Sequence, residues 1–274
     1  RGQTRTRAAV AQACGAPETE GPSEESVETR TGGGRTIRLL VAEDSPIMRK
    51  VLRQMLESEA DFEVVAEAAN GREAVEMARE TSPDVISMDV VMPVMDGVEA
   101  LRVIMKETPT RVLMVSGVTT EGAQVTMEAL AAGAVDFLPK PTGQNPLEIR
   151  SLRDELVAKV RTVAASRLEA MGRSVKEISP AVARPAVAGR DRVVVIGTST
   201  GGPRALQTVI PMLPEDLPAA VLLVQHMPKE FTPQLARRLD AISEVTVREA
   251  AEGDRIEAGT ILLAPGHSHM VVRD

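Results

Sequence analysis

Glu43, Asp44, Asp89, Ser116 and Lys140 each stand at or just past the end of an apolar run. Ile37 to Ala42 (IRLLVA) stops at Glu43-Asp44-Ser45, Asp84 to Met88 leads into Asp89, Arg111 to Ser116 (RVLMVS) closes on its serine, and Ala134 to Leu138 (AVDFL) precedes Pro139-Lys140. If these runs are parallel strands, their carboxyl ends share one sheet edge, which is where ligands bind in open sheets. Three carboxylates at one edge repel unless a cation neutralises them. Hard oxygen ligands in an open site suit Mg²⁺, which keeps waters available for a phosphate. A hydroxyl from Ser116 and an ammonium from Lys140 reach the same edge. One such acid alone is an ordinary solvated loop residue; the signal is the ordered set.

A second chemical set lies downstream. Gly197-Thr198-Ser199-Thr200-Gly201 fits G-x-S-x-G between an apolar run and a helical one, the context of a nucleophile elbow. The glycines permit a sharp turn, and the following helix start offers N–H groups to a developing oxyanion. A serine nucleophile needs a base within reach. The three histidines are His226, His267 and His269. His226 ends the run Ala219 to Gln225, at the same expected edge as Ser199, whereas His267 and His269 are expected in a loop after a later strand. A Gly-rich turn could also cradle phosphate, but G-x-G-x-x-G and G-K-[ST] are both missing, so nucleotide binding is the weaker reading.

The elements that must position these groups follow from periodicity. Strands are expected at 37–42, 62–67, 84–88, 111–116 and 134–138. Helices are expected at 46–58, 71–80, 97–106, 121–132 and 146 to about 168, with apolar residues at helical spacing such as Ile47, Val51, Leu52, Met55 and Leu56. Alternating strands and helices predict a doubly wound, five-stranded parallel sheet of the flavodoxin-like kind over 37–155. Residues 1–36, rich in Arg, Thr, Glu, Gly and Ser, are expected to be a disordered tail or artefact. Residues 156–190 are expected to form a linker, and 191–274 a second α/β unit with strands at 192–196, 219–225, 245–249 and 260–264 and helices at 203–213 and 231–240.

Composition narrows the function. The 274 residues carry a net charge of −7, which argues against nucleic-acid binding and gives no attraction to anionic membranes. No apolar run of about 18 residues exists, so no membrane insertion is expected. With Cys14 the only cysteine, an internal disulfide is impossible, in keeping with a reducing, cytoplasmic setting.

Glu43-Asp44-Ser45, Met88 to Gly97 (MDVVMPVMDG), Ser116-Gly117 and Asp136 to Pro141 (DFLPKP) closely resemble bacterial response-regulator receiver domains. Ile196 to Pro203 (IGTSTGGP), Val224 to Thr232 (VQHMPKEFT) and Leu263 to Met270 (LAPGHSHM) resemble the chemotaxis protein-glutamate methylesterase family, CheB, which joins a receiver to a methylesterase through a linker in this order. The resemblance implies that Asp89 takes a phosphoryl group from a chemotaxis histidine kinase. Mg²⁺ would be held by Asp44, Asp89 and the Val91 carbonyl, with Glu43 acting through water. Ser116 and Lys140 would support the phosphoryl group, and Phe137 holds the place of the switch aromatic. In the second unit Ser199 would attack glutamate γ-methyl esters of methyl-accepting chemotaxis receptors, with His226 as base and no cofactor, and would also deamidate certain glutamines. The unphosphorylated receiver would cover that site.

The chain departs from the family pattern in one respect. The family's triad aspartate lies in a Gly-Met-Gly-x-Asp-Gly type segment, and neither Asp254 nor Asp274 has that context. The second unit is therefore expected to be an incomplete, C-terminally truncated methylesterase domain. The alternative is a receiver-containing regulatory or binding module whose hydrolase half is inactive. A DNA-binding response regulator would need a helix-turn-helix after the linker, where the sequence instead supplies strand, Gly loop and helix.

Overall fold

In the computed structural model, residues 7–12, 36–141, 146–166 and 192–273 are described. Most of the expected tail and linker, together with Cys14 and Asp274, lies outside the described residues.

After strand β1 (Arg7–Gln12), the first unit runs β2 (Ile37–Ala42), α1 (Pro46–Glu57), β3 (Phe62–Ala68), α2 (Gly71–Thr81), β4 (Val85–Asp89), α3 (Gly97–Glu107), β5 (Arg111–Ser116), α4 (Thr120–Ala132), β6 (Asp136–Pro139) and α5 (Pro146–Ala165). Its sheet has the order β3-β2-β4-β5-β6, all parallel, the doubly wound arrangement expected. Both faces are covered, so its strands are apolar on both sides. Leu39 and Val41 pack toward α1 and α5, while Leu40 and Ala42 pack toward α2, α3 and α4. Caps fix the helix starts beside the acids. Ser45 accepts from the Met48 amide with Pro46 opening α1, and Asp96 and Glu99 form a capping box at α3.

The second unit runs β7 (Val193–Thr198), α6 (Gly202–Val209), β8 (Ala220–Gln225), α7 (Thr232–Ala241), β9 (Thr246–Glu249), β10 (Thr260–Leu263) and β11 (Ser268–Arg273). A parallel sheet β7-β8-β10-β9 forms its centre. The two units share one apolar cluster: Met127 and Leu130 of α4 and Phe137 of β6 pack in it with Leu206, Leu235, Phe231 and Met227.

Four expectations are corrected. Arg7–Gln12, placed in the unstructured tail, is a strand paired antiparallel with β11; its partner sits at the far end of the chain, so no local pattern announces it. The receiver unit does not stop at 155. Its α5 continues to Ala165 because Leu156, Val157, Val160 and Val163 are buried against the sheet. The helix expected over 203–213 ends at Val209, since Pro211 has no amide to continue it, and Ile210–Met212 tightens into a 3-10 turn. Finally, His269 lies within β11 rather than in a loop, while His267 occupies the preceding turn with φ +60°.

Candidate functional site

The first-unit edge assembles as the strand ends demand. Carboxylate oxygens of Glu43, Asp44 and Asp89 all lie within 4.8 Å of one another. Glu43 and Asp89 are only 1% and 4% exposed, whereas Asp44 is exposed. Lys140 Nζ donates to Asp89 Oδ2 at 2.7 Å and to Glu43 Oε1 at 3.2 Å. It also lies 2.9 Å from Glu43 Oε2, but this oxygen makes no hydrogen bond and is left with the electrostatic contact alone. Burial, reinforced by Asp89, pushes the Glu43 pKa up; burial also raises that of Asp89, against the pull of Lys140. Burial works against the Lys140 ammonium, yet Asp89 and Glu43 together hold its pKa above the ordinary lysine value.

This donor set fits a small hard cation: oxygen ligands only, converging on one point, with a buried oxygen short of a partner. Val91 follows β4 and its amide donates to Asp89 Oδ1 at 3.3 Å. The loop is pressed against α3, where a Cβ on Gly97 would lie 1.9 Å from the Asp89 carbonyl oxygen. The Lys140 amide donates to Ser116 O at 2.7 Å, tying the lysine to the end of β5. The Ser116 hydroxyl is buried and accepts from Thr126 Oγ1 at 2.8 Å, so it is held by α4.

In the second unit, β7 and β8 run parallel and pair Thr198 with Gln225, which places Ser199 and His226 side by side just past two adjacent strand ends. The His226 amide donates to Thr198 O at 3.0 Å. Both Ser199 and His226 are exposed. Among the described residues no hydrogen bond yet joins their side chains and no carboxylate bonds to His226; such contacts commonly tighten only when substrate binds. The Gly202 amide donates to Ser199 O at 2.8 Å, and among the described residues the Thr200 and Gly201 amides have no protein acceptor. Asp254 is occupied elsewhere, pairing with Arg248 and accepting from the Ala251 amide at 2.7 Å.

Lys140 and His226 line two neighbouring clefts between the units. A cleft of about 310 Å³ is lined by His226, Pro228 and His267 on one side and Phe137, Pro139, Glu155 and Lys159 on the other. A neighbouring cleft of about 570 Å³ shares Pro139, Glu155, Pro228 and His267 with it and extends to Lys140.

Residues 39–151 match the response regulator receiver domain family and residues 194–274 match the CheB methylesterase family. A protein-glutamate methylesterase/protein-glutamine glutaminase of Thermotoga maritima is 48% identical over 236 residues, covering 86% of this chain and 68% of that protein. The chain belongs to the CheB methylesterase family. Another relative of the same name, from Symbiobacterium thermophilum, is 48% identical over 251 residues, covering 87% of this chain and 69% of its own length. The crystal structure of the response regulator domain of Thermotoga maritima CheB is 50% identical, covering 48% of this chain and 99% of that one, with a TM-score of 0.46.

For this CheB-family chain, motif reading singled out candidate side chains that the fold brings to the strand ends, but passed over the side chains that hold them. Gln225, Phe231 and Asp136 lie inside the quoted segments but were given no role there, and Thr126 and Lys159 lie outside them. The buried Asp136 binds Lys159 at 2.7 Å, and Lys159 sits 5.8 Å above the Phe137 ring. The one signal available was an amide side chain, Gln225, at the end of an apolar run. Among the described residues no helix is long and apolar enough to cross a membrane.

Proposed function

We propose that the chain is a phosphorylation-controlled, cytoplasmic hydrolase of glutamate γ-methyl esters, and a deamidase of glutamines, on chemotaxis receptors. The observation that carries this is the pair of adjoining clefts between the units, one lined by Lys140 of the acidic site and the other by His226 of the elbow, with Pro139, Glu155, Pro228 and His267 common to both. The esterase/glutaminase names of the relatives weigh against a binding-only module.

Asp89 is the phospho-acceptor, receiving its group from the chemotaxis histidine kinase. Mg²⁺ held by Asp44, Asp89 and the Val91 carbonyl, with Glu43 acting through water, would supply the positive charge that lets an anionic donor approach an anionic acceptor. Lys140 then pairs with the phosphoryl oxygens. Ser116 must turn from Thr126 to bond them, which ties phosphorylation to α4.

At the second site Ser199 Oγ attacks the ester carbonyl as His226 takes its proton. The Thr200 and Gly201 amides are placed to receive the developing oxyanion. His226 returns the proton to the departing methanol, or to ammonia when glutamine is the substrate. Water, deprotonated by His226, then releases the acyl group as a glutamate carboxyl and regenerates Ser199. The receiver lines the cleft on which His226 opens, so the placing of the two units governs how a receptor segment approaches it. Methanol release from a methylated receptor fragment tests the reaction: it is expected to be lost in Ser199→Ala, and an unchanged rate in that variant contradicts the assignment.

A further inference from the structure

Gln225 is 4% exposed at the end of β8, among apolar neighbours, where an amide is costly to bury unless every polar atom is used. All of them are engaged, and on the elbow itself. Nε2 donates to Ser199 O at 3.0 Å and to His226 O at 3.1 Å, while Oε1 accepts from Thr198 Oγ1 at 2.7 Å. The orientation is fixed by chemistry, since the two carbonyls can only accept and so require the nitrogen. One side chain therefore ties the main chain of the nucleophile to that of its base. Gly202 completes the fit: a Cβ there would lie 2.1 Å from Oε1 and 2.8 Å from Thr198 Cβ.

We infer that Gln225 is a positioning residue for the ester hydrolysis, holding Ser199 and His226 in register as a single unit; this rests on the assignment of Ser199 and His226 under Proposed function. Main-chain tethers at both residues restrict the distance between Ser199 Oγ and the imidazole. Errors of about 1 Å in such a distance cost on the order of 100-fold in rate.

The test uses the whole chain, a fluorophosphonate probe for Ser199, and turnover of a methylated receptor fragment. Gln225→Met keeps length and apolar fit but removes all three bonds. It is expected to fold by circular dichroism, to label at Ser199 about 10- to 100-fold more slowly and to lose kcat by a similar factor with KM changed less than about 3-fold. The pH profile of the labelling rate should flatten in the variant, which a merely structural role would not produce. Labelling and kcat within two-fold of the parent protein overturn the inference. Should Gln225→Met fail to fold, Thr198→Val, which frees the amide oxygen, is read the same way: slower labelling supports the tether and unchanged labelling overturns it. Labelling of Ser199→Ala at the parent rate overturns the nucleophile assignment itself, and the inference with it.

Discussion

Phe137 of β6 stacks on Phe231 at the start of α7, with ring centroids 4.6 Å apart and planes at 20°. Both rings are buried, and Phe137 lies two residues from Pro139 and three from Lys140 in sequence, whereas Phe231 lies five residues after His226. The stack is thus a direct packing link between the acidic site and the elbow.

Weakening that link should loosen the packing of the receiver beside His226. An aromatic pair is worth about 0.5–1.5 kcal/mol beyond its area, a factor of about 2–13 in the balance of closed and open forms. Phe231→Leu is therefore expected to raise methanol release from unphosphorylated protein by about that factor. An unchanged basal rate in a folded variant contradicts the link.

Glu43 and Asp89 carry pKa values raised mainly by burial. A carboxyl raised in the folded state gives stability that is present below its unfolded pKa and lost as pH rises through the folded value. At neutral pH the metal-free cluster therefore costs stability, and Mg²⁺, which needs the ionised forms, offsets that cost. Millimolar Mg²⁺ should raise Tm more at pH 7.5 than near the ordinary carboxylate pKa of about 4. Equal gains at both pH values, read by thermal melts, contradict the site.

Asp89→Asn keeps the shape of the acceptor but removes its nucleophilic oxygen. Labelling by a radioactive phosphodonor in the presence of Mg²⁺ is expected to vanish, and the label on the parent protein should be lost in mild alkali as an acyl phosphate. Undiminished labelling of the variant places the acceptor elsewhere.

Gly202→Ala would force a methyl group against Gln225 Oε1 and Thr198 Cβ. Overpacking of this kind costs about 1–3 kcal/mol. The expected outcome is a lower Tm with a larger proportional loss of ester hydrolysis, because the displaced atom belongs to the tether. A melt and a turnover assay on the same preparation separate the two effects.

The candidate groups were legible in the sequence because each sits where an apolar run stops: Asp89 at the end of β4, Ser116 at the end of β5 and His226 after β8. Periodicity likewise exposed the five-stranded sheet, since its alternation of strand and amphipathic helix is local. What stayed hidden was non-local. The pairing of β1 with β11 joins opposite ends of the chain. The stack of Phe137 on Phe231 needs both units placed. The helix expected from 146 to about 168 was legible, but that its residues past 155 belong to the receiver core is decided by their burial against the sheet. Gln225 stands at the end of an apolar run, and only the three-dimensional position of the elbow gives its amide three partners.

The central claim is that Asp89 governs Ser199. The most direct measurement is the initial rate of methanol release from a methylated receptor fragment, with and without a phosphodonor and Mg²⁺, in the parent protein and in Asp89→Asn. The account predicts a rise on phosphorylation in the parent and none in the variant. Equal rates with and without phosphodonor in a parent shown to be phosphorylated would contradict it.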